Sequence, residues 1–307
     1  DWGGVPDSKV KTFDMCRVHE ELLWMAHNKL EFATGADANF GAFKERDMEI
    51  VDFMIETKRK YGYPKYFHTS WHKNQSEHLV TMASKLMKSD MMRSYTASLQ
   101  STTGSVLEAI KRKNTGDNVL MKIKSLCEAS GFKLDTDLMI PLPGETHQSF
   151  EKVLEQCLDN NLTFQCCYTT ILPNSEMNNT KYREEHGLET IRSEFAEPHP
   201  WTKEEEEILV ATNTMTRQEF NNIALLAYVI SAFHLCGFMD LIAKYYKKTD
   251  GIDYTHFYQK FLNYFLNNEQ TLVYRYLSPI ANHVDDKRTN ETYGGIWLAP
   301  MFNELGE

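Results

Sequence analysis

Between residues 12 and 171 the apolar positions alternate between two repeats, one matching a helix face and one matching a strand. Residues 13–29 place Met15, Val18, Leu22 and Met25 three or four apart, which predicts a helix with Thr12 as its N-cap. Extended segments are expected near 30–36, 64–71, 92–99, 134–142 and 163–171. Helical stretches separate them: 46–60 (Ile50, Val51, Met54, Ile55), 75–88 (Leu79, Ala83, Leu86), 103–112 with 117–129 (Leu120, Ile123, Cys127), and 147–160 (Phe150, Val153, Leu154, Cys157). Strands that are each followed by a helix imply an α/β fold with a parallel sheet and right-handed crossovers.

Beyond about residue 188 the strand signal fades. Residues 194–201, with two prolines, read as a connector, and Thr202-Lys-Glu-Glu205 reads as a capping box. The glutamates from Glu204 to Glu207 would then suit the positive end of a helix dipole and need no other partner. Thr216-Arg-Gln-Glu219 repeats the device before an apolar helix over 217–236, which Gly237 ends. A Phe- and Tyr-rich amphipathic helix follows over 254–267, and an irregular tail after Pro279. The expected division is an α/β unit over 1–188 and a helical C-terminal extension over 189–307, whose apolar faces must pack on the first unit.

Composition narrows the function classes. A net charge of −10 argues against a nucleic-acid-binding surface, and the basic trio Lys111-Arg-Lys113 reads as a solvated helix end. The most apolar run, from Ile223 to Met239, is interrupted by Ser231, His234 and Gly237, so a buried helix rather than a membrane span is expected. Six cysteines (Cys16, Cys127, Cys157, Cys166, Cys167 and Cys236) show no ligand spacing, so free thiols in a reducing cytoplasm are the economical account.

Four short stretches carry chemistry: Asp1-Trp-Gly-Gly4, Ala36-Asp-Ala-Asn-Phe-Gly41, Ser98-Leu-Gln-Ser101, and Asp137-Leu-Met-Ile-Pro-Leu-Pro-Gly-Glu-Thr146. The last is an apolar strand that stops at Pro143-Gly144 and hands over to a helix, the junction where α/β proteins place ligands. In this order and spacing they resemble the radical S-adenosylmethionine (SAM) superfamily, in the branch with a cobalamin-binding domain. The resemblance covers roughly residues 1 to 185. It implies a partial (β/α)6 barrel and a C-x3-C-x2-C motif that ligates a [4Fe-4S] cluster just ahead of an Asp-Trp-Gly sequence. The chain starts at that Asp, so Trp2 and Gly3 would flank the cluster loop. The first strand, the cluster loop and any cobalamin domain are expected upstream, and this chain alone is expected to be inactive.

The same resemblance implies site residues. Asp37 and Asn39 would accept hydrogen bonds from the SAM ammonium, a role suited to a charge-assisted acceptor, although an Asx turn would also use them. Ser98, Gln100 and Ser101 would meet the ribose and methionyl groups, unless they cap the next helix, and strand alternation puts Ser98 and Gln100 on one face. Arg112 would grip the SAM carboxylate, with a surface helix end as its alternative. Glu145, with the Pro143-Gly144 turn, and Leu172 would support adenine. Pro141 departs from the family's glycine and is expected to face away from a ladder bond or sit at a bulge.

His68 and His72, with His78 near, would face one metal in a helix, but on a strand residues four apart lie about 13 Å distant. Ser70, Trp71 and His72, with Tyr168, are therefore candidates for substrate contact, with core packing as the alternative. The resemblance implies cobalamin-dependent methyl transfer to an unactivated centre, driven by a 5′-deoxyadenosyl radical. A non-methylating radical enzyme or a catalytically inactive SAM-binding fragment are the alternatives. Expected partners are a small-molecule, natural-product-like substrate and a reductant such as flavodoxin or ferredoxin, with neither nucleic acid nor membrane.

Overall fold

A computed structural model describes residues 11–72, 77–114, 117–194 and 205–282. Trp2 and Gly3 lie outside the described residues, as does most of the Thr202 capping box. The first helix, α1 (Met15–His27), is capped by Asp14 rather than Thr12, because the Asp14 carboxylate reaches the amide of Cys16 at 2.8 Å. There follow β1 (Phe32–Phe40), α2 (Lys44–Tyr61), β2 (Tyr66–Trp71), α3 (Glu77–Lys88), β3 (Tyr95–Thr96), α4 (Gly104–Ala109), α5 (Asp117–Ala129), β4 (Leu134–Ile140), α6 (His147–Asp159) and β5 (Thr163–Tyr168).

The five strands pair in parallel as two sheets, β1 with β2 and β3 with β4 and β5. Strand alternation decides what each face does. Leu134, Thr136, Leu138 and Ile140 of β4 are buried under the helices, whereas Asp135, Asp137 and Met139 point to the opposite face. In β2, Phe67, Thr69 and Trp71 are buried while His68 and Ser70 are exposed. One face therefore packs against Val51, Met54, Leu79, Met82, Phe150 and Leu154, and the other is polar and open.

The expected strand near 92–99 is cut to two residues. Beyond Thr96 the chain still runs along β4, with Ala97 N donating to Asp135 O (2.8 Å) and Gln100 N to Asp137 O (2.7 Å). The Leu99 amide, however, is diverted to the Thr136 hydroxyl (3.2 Å), and Gln100 adopts φ +66. Pro141, at the end of β4, has a cis peptide bond, and its carbonyl accepts from Thr169 Oγ1 at 2.6 Å.

Past β5 comes a short helix, α7 (Thr180–His186), capped by Asn179 and closed by Gly187. The extension then opens on a hairpin, not a helix: β6 (Glu189–Glu194) and β7 (Glu205–Ala211) are antiparallel. The run Ile208-Leu-Val-Ala211 is fully buried, and β7 is hydrogen-bonded along both edges, since Ile171 N donates to Glu207 O and Leu209 N to Thr169 O. A glutamate run that reads as a first helical turn is thereby held in a strand, and its members do take partners: Glu207 accepts from Arg183 and Thr190, and Glu206 from Thr170 (3.1 Å).

The capping box at Thr216 and Glu219 opens α8 (Arg217–Ile230), which passes into a π-helical turn over Ser231–Leu235 and ends at Gly237, φ +83. Next come α9 (Asp240–Asp250), which the apolar pattern does not announce, and α10 (Tyr254–Leu266). The last, α11 (Leu272–Asn282), contains Pro279, and the rest of the expected irregular tail lies outside the described residues. Among the described residues no single helix is long and apolar enough to cross a membrane.

Glu155 of α6 anchors the extension. It accepts from the amides of Tyr254 (3.0 Å) and Thr255 (2.9 Å) at the start of α10 and pairs with Lys247 of α9, which also reaches Asp159 at 2.6 Å. Glu155→Ala strands two helix amides and a lysine, and it should lower stability by roughly 1–3 kcal/mol in denaturant melts, with Glu155→Gln retaining part. His234 supplies a second test. It is 4% exposed, with Nδ1 3.1 Å from the Tyr258 hydroxyl, and burial pushes its pKa down from 6.5 to about 4. The folded state thus keeps it neutral while the unfolded chain takes up a proton below about pH 6.5. Stability should fall as pH drops from 6.5 towards 4, by on the order of 2–3 kcal/mol, and His234→Asn should flatten that slope in melts at pH 7 and pH 5.

Candidate functional site

At the carboxyl end of β3 and β4 one hydrogen-bonded chain links most of the rim residues. Ser98 Oγ donates to Asp137 Oδ2 at 2.6 Å, and Arg112 Nη2 donates to the Ser98 carbonyl. Arg112 Nε faces Asn114 Oδ1 at 3.5 Å, and Asn114 Nδ2 donates to the Ser101 carbonyl at 2.7 Å. Ser101 Oγ donates in turn to Glu145 at 2.8 Å. Burial pulls the Arg112 pKa down while the Asp137 charge raises it, so the guanidinium is a half-buried cation beside a carboxylate. Ser98, Gln100, Ser101, Arg112 and Glu145 thus come together. Asp137, which the sequence reading leaves out of the site, holds Ser98 and faces Arg112, and its signal was a carboxylate at a strand position that alternates with the buried ones.

The Glu145 side chain is sealed inside the protein. It is 0% exposed, and its carboxylate accepts from Ser101, from Thr103 (3.2 Å) and from Ser149, with no cation among the described residues. Its carbonyl accepts from Thr214 Oγ1 of the extension at 2.7 Å. The side chain is turned into the protein because the N-cap of α6 follows it directly: Thr146 and Ser149 form a reciprocal capping box that carries the Ser149 hydroxyl to Glu145.

The remaining candidates lie apart. Asp37 and Asn39 are exposed near the end of β1, with Asp37 3.7 Å from Arg46. Leu172 is half-buried in the turn after β5, its carbonyl bonded to Ser175 (2.8 Å). Ser70 is exposed on the open face, and the half-buried His72 donates its amide to the Phe40 carbonyl (2.8 Å). Trp71 is a core residue rather than a rim contact, stacked on Tyr95 (4.9 Å between centroids) and edge-on to Phe40. Tyr168 packs on Phe220 of α8 (5.1 Å), because the extension covers that end of β5. Two surface cavities of about 710 and 860 Å³ are lined chiefly by α3 and α5 and by none of these residues.

The donor set at the rim suits SAM: carboxylates for an ammonium or ribose, a guanidinium for a carboxylate, and neutral hydroxyl and amide groups between them. It does not suit an iron–sulfur cluster. Burial pushes the Cys127 and Cys157 thiols up to about 12 and Cys167 to about 11, keeping them protonated, and no group of three metal-ligating side chains occurs among the described residues. His78 is bound instead to the Gly41 carbonyl at 2.7 Å.

These features define an α/β protein with parallel sheets and a polar rim at the carboxyl ends of their strands. By sequence the chain is similar, over most of its length, to two curated methyltransferases. It is 28% identical over 279 residues to the cobalamin-dependent radical SAM methyltransferase TokK of Streptomyces tokunonensis, covering 89% of this chain and 41% of that protein. It is 28% identical over 271 residues to the 2-(S-pantetheinyl)-carbapenam-3-carboxylate methyltransferase of Streptantibioticus cattleyicolor, covering 86% and 40%. The chain therefore spans about two fifths of the length of these curated relatives. No protein-family profile matches it. Among solved structures, the radical SAM methyltransferase TsrM of Kitasatospora setae aligns with a TM-score of 0.46 and 12% identity over 58% of this chain and 34% of that one.

Glu145→Ala removes the acceptor of three hydroxyls from a sealed site and should cost roughly 2–4 kcal/mol in unfolding free energy. Glu145→Gln, which keeps one acceptor oxygen, should lose about half as much. Equal stability of both variants and the parent in urea melts would show that the hydroxyls find other partners.

Proposed function

We propose that the chain is the SAM-binding part of a cobalamin-dependent radical SAM methyltransferase, acting on a small natural-product-like intermediate at an unactivated centre. In this reading the two parallel sheets belong to a partial (β/α)6 barrel, and their open polar face is its interior. The observation that carries it is the continuous rim of Ser98, Asp137, Arg112, Asn114 and Ser101, since it places a cation, a carboxylate and hydroxyls where an α/β fold binds ligands. SAM bound there supplies the adenosyl radical, and cobalamin the methyl group.

The chain's own residues do the holding. Arg112 takes the SAM carboxylate and Asp37 the ammonium, as in the motif they match, while Asp137 orients Ser98 and accepts from a ribose hydroxyl. Gln100, at φ +66, is held at the rim by two backbone bonds to β4. Because none of the described cysteines is placed to ligate a cluster, the [4Fe-4S] ligands and the cobalamin site belong, in our reading, to residues outside these 307, and the chain by itself is inactive. A flavodoxin- or ferredoxin-type reductant would serve the whole enzyme.

The test is calorimetry of SAM with the anaerobically reconstituted full-length protein. Asp137→Asn should weaken SAM about tenfold or more, and Ser98→Ala about two- to fivefold. Unchanged affinity in both would remove SAM from this rim. In turnover assays a methylated product supports methyl transfer, whereas 5′-deoxyadenosine without one would favour a non-methylating radical enzyme.

A further inference from the structure

Arg46 and Asp47, in the first turn of α2, stand directly behind the turn that follows β1. Asp47 is 1% exposed, and its Oδ2 accepts from the amides of Gly41 (2.7 Å) and Phe43 (3.1 Å). That turn has little freedom: Gly41 lies at φ +92, and a Cβ there would fall 2.0 Å from Leu79 Cδ2. The other Asp47 oxygen accepts from Arg46 Nη1 at 2.7 Å, so the turn fixes the carboxylate and the carboxylate fixes the guanidinium. The Arg46 side chain is only 17% exposed, and its Nε is buried with no acceptor among the described residues. A buried donor left unpaired is uncommon, and it fits an arginine kept for its charge rather than for its full set of hydrogen bonds.

That charge faces Asp37. Arg46 Nη2 lies 3.7 Å from Asp37 Oδ2, close enough for ion-pair attraction but beyond hydrogen-bond distance, and the Asp37 side chain is 48% exposed. Of the two carboxylates beside this guanidinium, Asp47 is saturated by the turn, whereas Asp37 keeps lone pairs open to a donor arriving at the rim.

We propose that Arg46 is a positioning residue, which holds the Asp37 carboxylate at the end of β1 so that it meets the ammonium group of SAM. The inference rests on the reading of Asp37 as a SAM contact, and the two can fail separately. Arg46 touches no ligand itself; it acts through Asp37, and its effect on SAM must therefore vanish when Asp37 is neutralised.

A double-mutant cycle tests this, with SAM titrated calorimetrically into the full-length, cluster-loaded protein. Asp37→Asn should weaken SAM about tenfold and Arg46→Gln about fivefold. The double variant should be no weaker than Asp37→Asn alone. Arg46→Lys, which retains a charge and a bond to Asp47, should lie between Arg46→Gln and the parent, and it carries the test if Arg46→Gln melts early. Multiplying losses, or an unchanged affinity in both Arg46 variants, would overturn the proposal. An unchanged affinity in Asp37→Asn would remove Asp37 from the SAM site, and with it any action of Arg46 through it.

Discussion

The rim of this protein depends on a carboxylate that never sees solvent. Glu145 is fully buried with no cation beside it among the described residues, and its lone pairs are met by hydroxyl donors, from Ser101 and Thr103 after β3 and from Ser149 in α6. One residue thus joins two neighbouring loops, and its carbonyl joins both to Thr214 in the extension. The loop that carries Ser98, Gln100 and Ser101 gets its geometry from this brace. The Glu145 side chain faces the protein, and what it sets is the placement of others.

Much of the fold was legible because the strands obey strict alternation and the helices a clear 3–4 spacing. β2, β4, β5 and the helices over 44–61, 77–88 and 147–159 lie within two or three residues of their expected positions. The failures have physical causes. β3 is short because Thr136 captures the Leu99 amide, a long-range event that local pattern does not contain. Glu205 to Glu207 form a strand because the Ile208 to Ala211 run is paired on both edges, which outweighs a favourable charge at a helix start.

The site was legible where motif and alternation agreed, and obscure where roles depend on direction. Arg112 and Ser101 are joined through Asn114, a residue with no signal in the sequence. Trp71 and Tyr168 end strands as candidate rim residues do, yet they turn to Tyr95 and to Phe220, because large aromatic surfaces are worth more in the core. Asp137 was hidden because it opens a stretch read for the turn at Pro143-Gly144, rather than as a group on the open face of the strand.

The central claim is that SAM binds along the carboxyl ends of the strands and not in the grooves between α3 and α5. Hydrogen exchange of the full-length, cluster-loaded protein with and without SAM tests it most directly. The account predicts that SAM slows exchange at residues 36–43 and 98–114 and leaves the α3 and α5 residues that line the two cavities unchanged. Protection confined to α3 and α5, with none at the rim, would contradict it.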